Sequence, residues 1–290
     1  MNREQTPIII LGMHRSGTSM LSDLLKELGL NTGNKLGSHG EADFFLKLND
    51  WLLEQTSSSW DNPFNLEKIY LKENKEEYDC FLSYLKSVLK SPLKFKFRLF
   101  SRLFKPNQHW GFKDPVTCLT LPFWLDIYPK AKVIYITRHG LDVASSLMVR
   151  NEKKFKKAKS RLRNKKLYPY YLMYKNYIGR DRRNRSFISS LECKNLDHGV
   201  KLWDYYNKSC KAFIKPIEPN NLYQIKYEDL LEKPEYSLKE LAEFIGLKYN
   251  DELIKKITKG INSDRAYSYR KFLDSNTIND HNDILKNHDY

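Results

Sequence analysis

Gly12 and Gly17 bracket the residues Met13-His14-Arg15-Ser16, and Thr18 and Ser19 follow directly. A Gly-x-x-x-x-Gly loop between a strand and a helix turns backbone N–H groups and the positive end of the helix toward an anion. The spacing alone also suits a β–α turn that holds nothing, but the run His-Arg-Ser-Gly-Thr-Ser behind a strand favours a phosphate-type ligand. In loops that bind magnesium triphosphates, the second glycine is followed by Lys and then Ser or Thr. Here Thr18 takes the lysine's place and the loop cation is Arg15. A kinase or nucleotidase of that type therefore lacks its main support.

The elements needed to hold such a loop can be read around it. Ile8 to Gly12 is an apolar run suited to a buried central strand. Met20, Leu21, Leu24, Leu25 and Leu28 repeat at helical spacing, and Gly29 is placed to cap their helix. Further helices are predicted over 41–55, 78–90, 142–150 and 236–245, the last ending at Gly246. Trp110-Gly111-Phe112-Lys113-Asp114-Pro115 reads as a strand end with its loop, and 132–137 and 222–227 as strands. Strands alternating with helices predict an α/β fold whose central, mainly parallel sheet carries helices on both faces. Phe44, Phe45 and Trp51 fall at helical spacing and read as core.

Composition sets the outer bounds. The 290 residues are 41% hydrophobic and 13% aromatic, enough for one large domain with a real core. No run approaches the roughly 18 apolar residues that span a bilayer, and the run at Ile8 is too short for a signal peptide. Cys80, Cys118, Cys193 and Cys210 show neither CxxC pairing nor close histidines, so they read as buried, reduced thiols, and no metal is expected. A cytoplasmic protein is the expectation.

The net charge of +15 is unevenly spread. Between Asn151 and Asn195 stand 15 Lys or Arg against 3 Asp or Glu, so this stretch carries +12 and the rest is nearly neutral. It reads as a basic insertion, at about 151–195, in one domain spanning 1–290. Three roles suit it: a solvated, partly disordered excursion, a surface for an acidic acceptor with tyrosines 168, 170, 171, 174 and 177 as stacking platforms, or contact with an anionic membrane. Basic and aromatic residues together also suit single-stranded nucleic acid. No nucleic-acid motif stands elsewhere, and none is expected as partner.

Gly12-Met-His-Arg-Ser-Gly-Thr-Ser19 resembles the 5′-phosphosulfate loop of the sulfotransferase superfamily, in the Arg-Ser-Gly form of its bacterial and carbohydrate-type branch. Arg138 and Ser146 resemble the family's pair for a 3′-phosphate, where Arg supplies a planar fork and Ser a neutral donor. The segment 110–115 resembles the Lys-Asp-Pro element, and Lys226-Tyr-Glu-Asp-Leu-Leu231 the late Tyr-Glu-Asp segment. All four lie in family order and cover 7–150 and 198–250. The resemblance implies a P-loop-type three-layer sandwich that uses 3′-phosphoadenosine 5′-phosphosulfate to sulfate an acceptor hydroxyl. Carbohydrate or carbohydrate-bearing lipid is favoured over peptide as acceptor. By the same resemblance Arg15, Ser16, Gly17, Thr18 and Ser19 hold the 5′-phosphosulfate and Tyr227 approaches the base of the nucleotide. Lys113 serves the leaving phosphate, and Glu41 is the general base with His39 as runner-up. As a plain sequence feature, Glu41 also suits a helix N-terminus. The glycine- and lysine-rich closing loop of several branches is missing; Ser263, Arg265, Tyr269, Arg270 and Lys271 stand nearest to it. A nucleotide- or polyanion-binding module without catalysis is the non-enzymatic alternative.

Overall fold

The computed structural model describes residues 6–32, 43–91, 109–178 and 187–290. The chain forms two compact units, Met1–His139 with Tyr205–Ser268, and Gly140–Asp204 with Tyr269–Tyr290. Among the described residues the strands are β1 (Ile8–Leu11), β2 (Gly111–Lys113), β3 (Lys132–Thr137) and β4 (Leu222–Lys226). The helices begin with α1 (Thr18–Glu27), α2 (Asp43–Gln55), α3 (Lys75–Lys90) and α4 (Thr117–Ile127). Then come α5 (Gly140–Asn164), α6 (Tyr168–Ile178), α7 (Leu196–Ile214) and α8 (Tyr227–Glu232). The last are α9 (Pro234–Ile245), α10 (Asp251–Thr258), α11 (Ser275–Asn279) and α12 (Asn282–Lys286).

In the first unit the four strands form one all-parallel sheet in the order β2-β1-β3-β4. Every residue of β1 is buried, as a strand covered on both faces requires. On one face Ile8, Ile10, Ile134 and Ile136 pack with Leu21, Leu24 and Leu25 of α1, Leu238 and Leu241 of α9, and Ile254 and Ile257 of α10. On the other, Phe112 stacks on Phe45 of α2 at 3.9 Å and meets Trp124 of α4 edge-on at 5.4 Å. Tyr135 there donates its hydroxyl to Asn207 of α7 at 2.5 Å. Each fully buried Leu or Phe contributes about 1.5–3 kcal/mol. The result is the three-layer α/β sandwich that the alternation of strands and helices predicts.

One polar residue fixes α2 to this layer. The Asn49 side chain is fully buried and uses all of its hydrogen-bonding capacity. Its Nδ2 donates to Asp114 Oδ2 at 2.7 Å and to Thr117 Oγ1 at 2.9 Å. Its Oδ1 accepts from Thr120 Oγ1 at 2.7 Å and from Trp124 Nε1 at 2.9 Å. Helix α2 is thereby tied to α4 and to the loop that follows Lys113.

One expectation is corrected in the second unit and another, at Cys80, in the first. The helix expected over 142–150 runs from Gly140 to Asn164, straight through the basic residues, and α6 follows it. Lys, Arg, Glu and Ala are good helix formers with no Gly or Pro among them, so propensity sustains the helix where apolar periodicity is thin. Asn151, buried in α5, accepts from the backbone N–H of Ser189 at 2.7 Å and Ser190 at 3.0 Å. Along α7, Asp197 pairs with His281 Nε2 at 2.9 Å and Asp204 with His288 Nε2 at 2.7 Å, so both carboxylates hold the segment that carries α11 and α12. The cysteines are all free, but Cys80 is exposed on α3, contrary to the expectation of four buried thiols. Among the described residues no helix is long and apolar enough to cross a membrane.

Replacing Asn49 by Ala strips four bonds from groups that stay buried, at an expected cost of about 3 kcal/mol. Asn49→Asp, facing Asp114, is expected to cost more. Urea unfolding of both variants tests this; a loss below about 1 kcal/mol for Asn49→Ala would mean that solvent replaces the network.

Candidate functional site

The loop after β1 has a backbone that only its glycines permit. At Gly12 a Cβ would stand 2.6 Å from the Ile136 carbonyl oxygen and 2.7 Å from Thr18 Cγ2. Gly17 caps α1 with φ +93°, and a Cβ there would lie 2.2 Å from Cδ2 of Tyr227. Between them Arg15 adopts φ +71°, a left-handed conformation costing on the order of 1 kcal/mol for a residue with a Cβ. Ser16 and Thr18 are buried, and the Ser16 N–H donates to the Met13 carbonyl at 3.1 Å. No acidic residue stands in the first turn of α1, so its positive end carries no counter-charge from its own sequence.

Arginines gather beside this loop. The Arg138 guanidinium donates to the carbonyl oxygens of Arg15 at 3.2 Å and Arg265 at 2.9 Å. It lies over the Tyr227 ring, 4.7 Å from the centroid. Arg15 is exposed as a residue, yet loss of water around its guanidinium and then the charges of Arg138 and Arg265 hold it below the ordinary arginine range. Arginine stays protonated regardless. The shift reflects loss of water first and like charge second, and a bound anion would offset both.

Lys113 closes another side of the loop. It ends β2, is almost wholly buried, and its Nζ donates to Ser19 Oγ at 3.3 Å. The lysine after the second glycine is absent, but a cation from the neighbouring strand reaches the start of α1 instead. Register makes this possible, since Lys113 pairs with Ile10 one step before β1 ends.

The supporting contacts come from residues that carry no obvious chemistry. The His14 ring packs edge-on to Trp60 at 4.7 Å and faces Tyr206 at 6.4 Å, turning it toward aromatic packing. Tyr206 in turn donates its hydroxyl to the Trp60 carbonyl at 2.8 Å. Glu228, buried, accepts the backbone N–H of His139 at 3.0 Å and so fixes the turn just after Arg138. His139 meets Tyr267 edge-on at 5.7 Å, on the segment that delivers Arg265.

Of the residues singled out from sequence, Arg15, Gly17, Arg138 and Tyr227 stand together, and Ser19 and Lys113 meet at the loop's far side. Ser146 lies half-buried on α5, in the second unit. His39 and Glu41 lie outside the described residues. Arg265 stood as one of five C-terminal candidates without a motif of its own, and its place is known only from the fold. Glu228 falls inside the Tyr-Glu-Asp segment without a role assigned to it, and Asn49 carries no signal beyond its presence on a predicted helix.

Comparison with known proteins identifies the family. Residues 7–251 match the sulfotransferase family. The chain belongs to that family. The sulfotransferase domain from the curacin biosynthetic pathway is 16% identical, with 97% of this chain and 98% of that one covered at a TM-score of 0.52. The sulfotransferase domain from the Synechococcus PCC 7002 olefin synthase is 17% identical, with 99% and 97% covered at the same TM-score of 0.52. These likenesses show the shared P-loop-like fold. A curated relative from Aquifex aeolicus (strain VF5), described only as an uncharacterized protein, is 24% identical over 286 residues. That match takes in 92% of this chain but only 30% of the relative's length.

Two glycine substitutions separate backbone strain from the close approach. Gly29 has φ +106° with nothing near its missing Cβ, so Gly29→Ala carries the conformational cost alone, about 1 kcal/mol. Gly17→Ala adds the collision with Tyr227 and is expected to lower stability by at least about 1 kcal/mol more. Thermal or urea unfolding of the pair reads the difference, and equal losses would mean that Tyr227 yields freely.

Proposed function

We propose that this sulfotransferase moves the sulfuryl group of 3′-phosphoadenosine 5′-phosphosulfate onto an acceptor hydroxyl, on a carbohydrate or a carbohydrate-bearing lipid. The observation that carries the reading is the cation cluster: Arg15, Arg138 and Arg265 around one loop, with Lys113 Nζ at the start of α1. Such a donor set suits a ligand with two separate anionic groups. The donor fits this set by its chemistry, a bisphosphate that carries an activated sulfuryl group.

In this reading the backbone N–H groups and hydroxyls of 16–19 cradle the 5′-phosphosulfate, while Arg15 neutralises it. Arg138, oriented by two carbonyls and a ring, serves the 3′-phosphate, with Arg265 beside it. Sulfuryl transfer, like phosphoryl transfer, asks for in-line geometry and neutralised charge on the leaving group. Lys113 is assigned to that charge: its buried stem gives Nζ little freedom, so it needs no reordering as the bond breaks. Glu41 is assigned to the acceptor's proton, with His39 as the second candidate. The acceptor assignment rests on the Arg-Ser-Gly form of the loop and on that glutamate.

Calorimetric titration with 3′-phosphoadenosine 5′-phosphate, with magnesium-ATP as comparator, tests the donor. Arg138→Ala is expected to weaken binding of the bisphosphate about 10- to 100-fold, the worth of a charged hydrogen bond. Preference for magnesium-ATP would favour a kinase or nucleotidase and overturn the reading. Given donor binding, Lys113→Ala and Glu41→Gln are each expected to lower turnover about 10²–10⁴-fold with donor affinity largely retained. Donor binding without turnover on any hydroxyl acceptor would leave a binding module.

A further inference from the structure

Residues 151–164 and 168–178 of the basic segment are helical, and several large apolar side chains along them face outward. Leu167, in the turn that leads into α6, and Tyr170, Tyr171 and Tyr174 of α6 follow the i, i+3, i+4, i+7 rule of a helix stripe that normally faces a core. Here they are 76%, 70%, 53% and 61% exposed, and Met173 beside them is 72% exposed. On α5 the exposed Phe155 and Leu162 stand seven residues apart, on one face. Around these apolar groups, residues 151–178 carry ten Lys or Arg and a single acid, Glu152. Arg161 lies over the Tyr168 ring at 5.8 Å, and Tyr168 stacks with Tyr171 at 6.3 Å, so cation and aromatic belong to one surface.

We propose that this face of α5 and α6 docks the protein on the surface of an anionic lipid bilayer. Cations beside exposed aliphatic and tyrosine side chains match the bilayer interface on both counts: headgroup charge above, acyl-chain boundary below. Long lysine stems reach the headgroups while the apolar stripe enters beneath them. A soluble polyanion would satisfy the charge and could stack on tyrosine, but it has no use for Leu162, Leu167 and Met173 on the surface. The surface lies wholly within the second unit, and the inference stands apart from the identity of donor or acceptor.

Cosedimentation of the full chain with vesicles decides it. The probes are vesicles of phosphatidylcholine alone, vesicles of phosphatidylcholine mixed with phosphatidylglycerol, and dextran sulfate as a soluble polyanion. The expected result is binding to the phosphatidylglycerol vesicles, little to the neutral ones, and release as salt is raised. Lys153→Glu/Lys157→Glu is expected to weaken vesicle binding more than about tenfold, since each surface cation is worth about fivefold. Leu167→Ser/Tyr170→Ser, which leaves every charge in place, is expected to weaken it about tenfold. Circular dichroism should show unchanged helix in both, because all four side chains are exposed. Failure of the parent chain to bind phosphatidylglycerol vesicles overturns the proposal, whatever the variants do. So does undiminished vesicle binding by Leu167→Ser/Tyr170→Ser, or dextran sulfate binding without any vesicle binding; the latter would assign the surface to a charged polymer.

Discussion

Three guanidinium groups crowd beside a helix end that is itself positive, and the rest of the first unit is arranged to hold them there. Dipoles and a ring restrain Arg138: the carbonyls of Arg15 and Arg265 accept from it, and its guanidinium lies over the Tyr227 ring. Carbonyl oxygens and an aromatic face together fix the orientation of the guanidinium plane. The same ring reaches Gly17, so one tyrosine supports both the loop and the arginine, and the glycine is required by the tyrosine as much as by its φ.

The sheet explains how distant segments meet. Loop 12–17, Lys113, Arg138 and Tyr227 follow directly on, or end, the four parallel strands, at the carboxyl side where open α/β sheets bind ligands. The chain leaves β1 for β2 on one side and then returns to β3 on the other, so the loop after β1 sits at the point where strand order reverses. Parallel pairing keeps all four exits on one edge. Packing on both faces makes those exits rigid, and the strain at Arg15 is sustained by that rigidity.

Much of this was legible in the residues. The loop and its helix, β3 with Arg138 behind it, and the end of α9 at Gly246 carry local signals: a glycine spacing, a β-branched run, an apolar repeat with a terminal glycine. What escaped was set by tertiary contact. Arg265 sits on a short 3₁₀ turn with no periodic neighbour, and it meets Arg138 only through the fold. The length of α5 was missed because its helix rests on propensity and charge, whereas the reading of periodicity looked for a buried stripe. The α6 aromatics stand out by composition, whereas their helix and its exposed stripe appear only in the fold. Lys113 was recognised by resemblance; its contact with Ser19 depends on strand register.

The saturated amide of Asn49 has a bearing on how this sequence can drift. Asp114, Thr117, Thr120 and Trp124 each give or take one bond with it, with no group left over on the amide. Loss of any one of the five removes at least one of these buried bonds, so a single change at these positions costs stability where a coordinated replacement could be neutral. The set should behave as a unit of inheritance, with the accessibility of each substitution depending on which came before. Because the same bonds hold the loop behind Lys113, that history constrains the site from a layer beneath it.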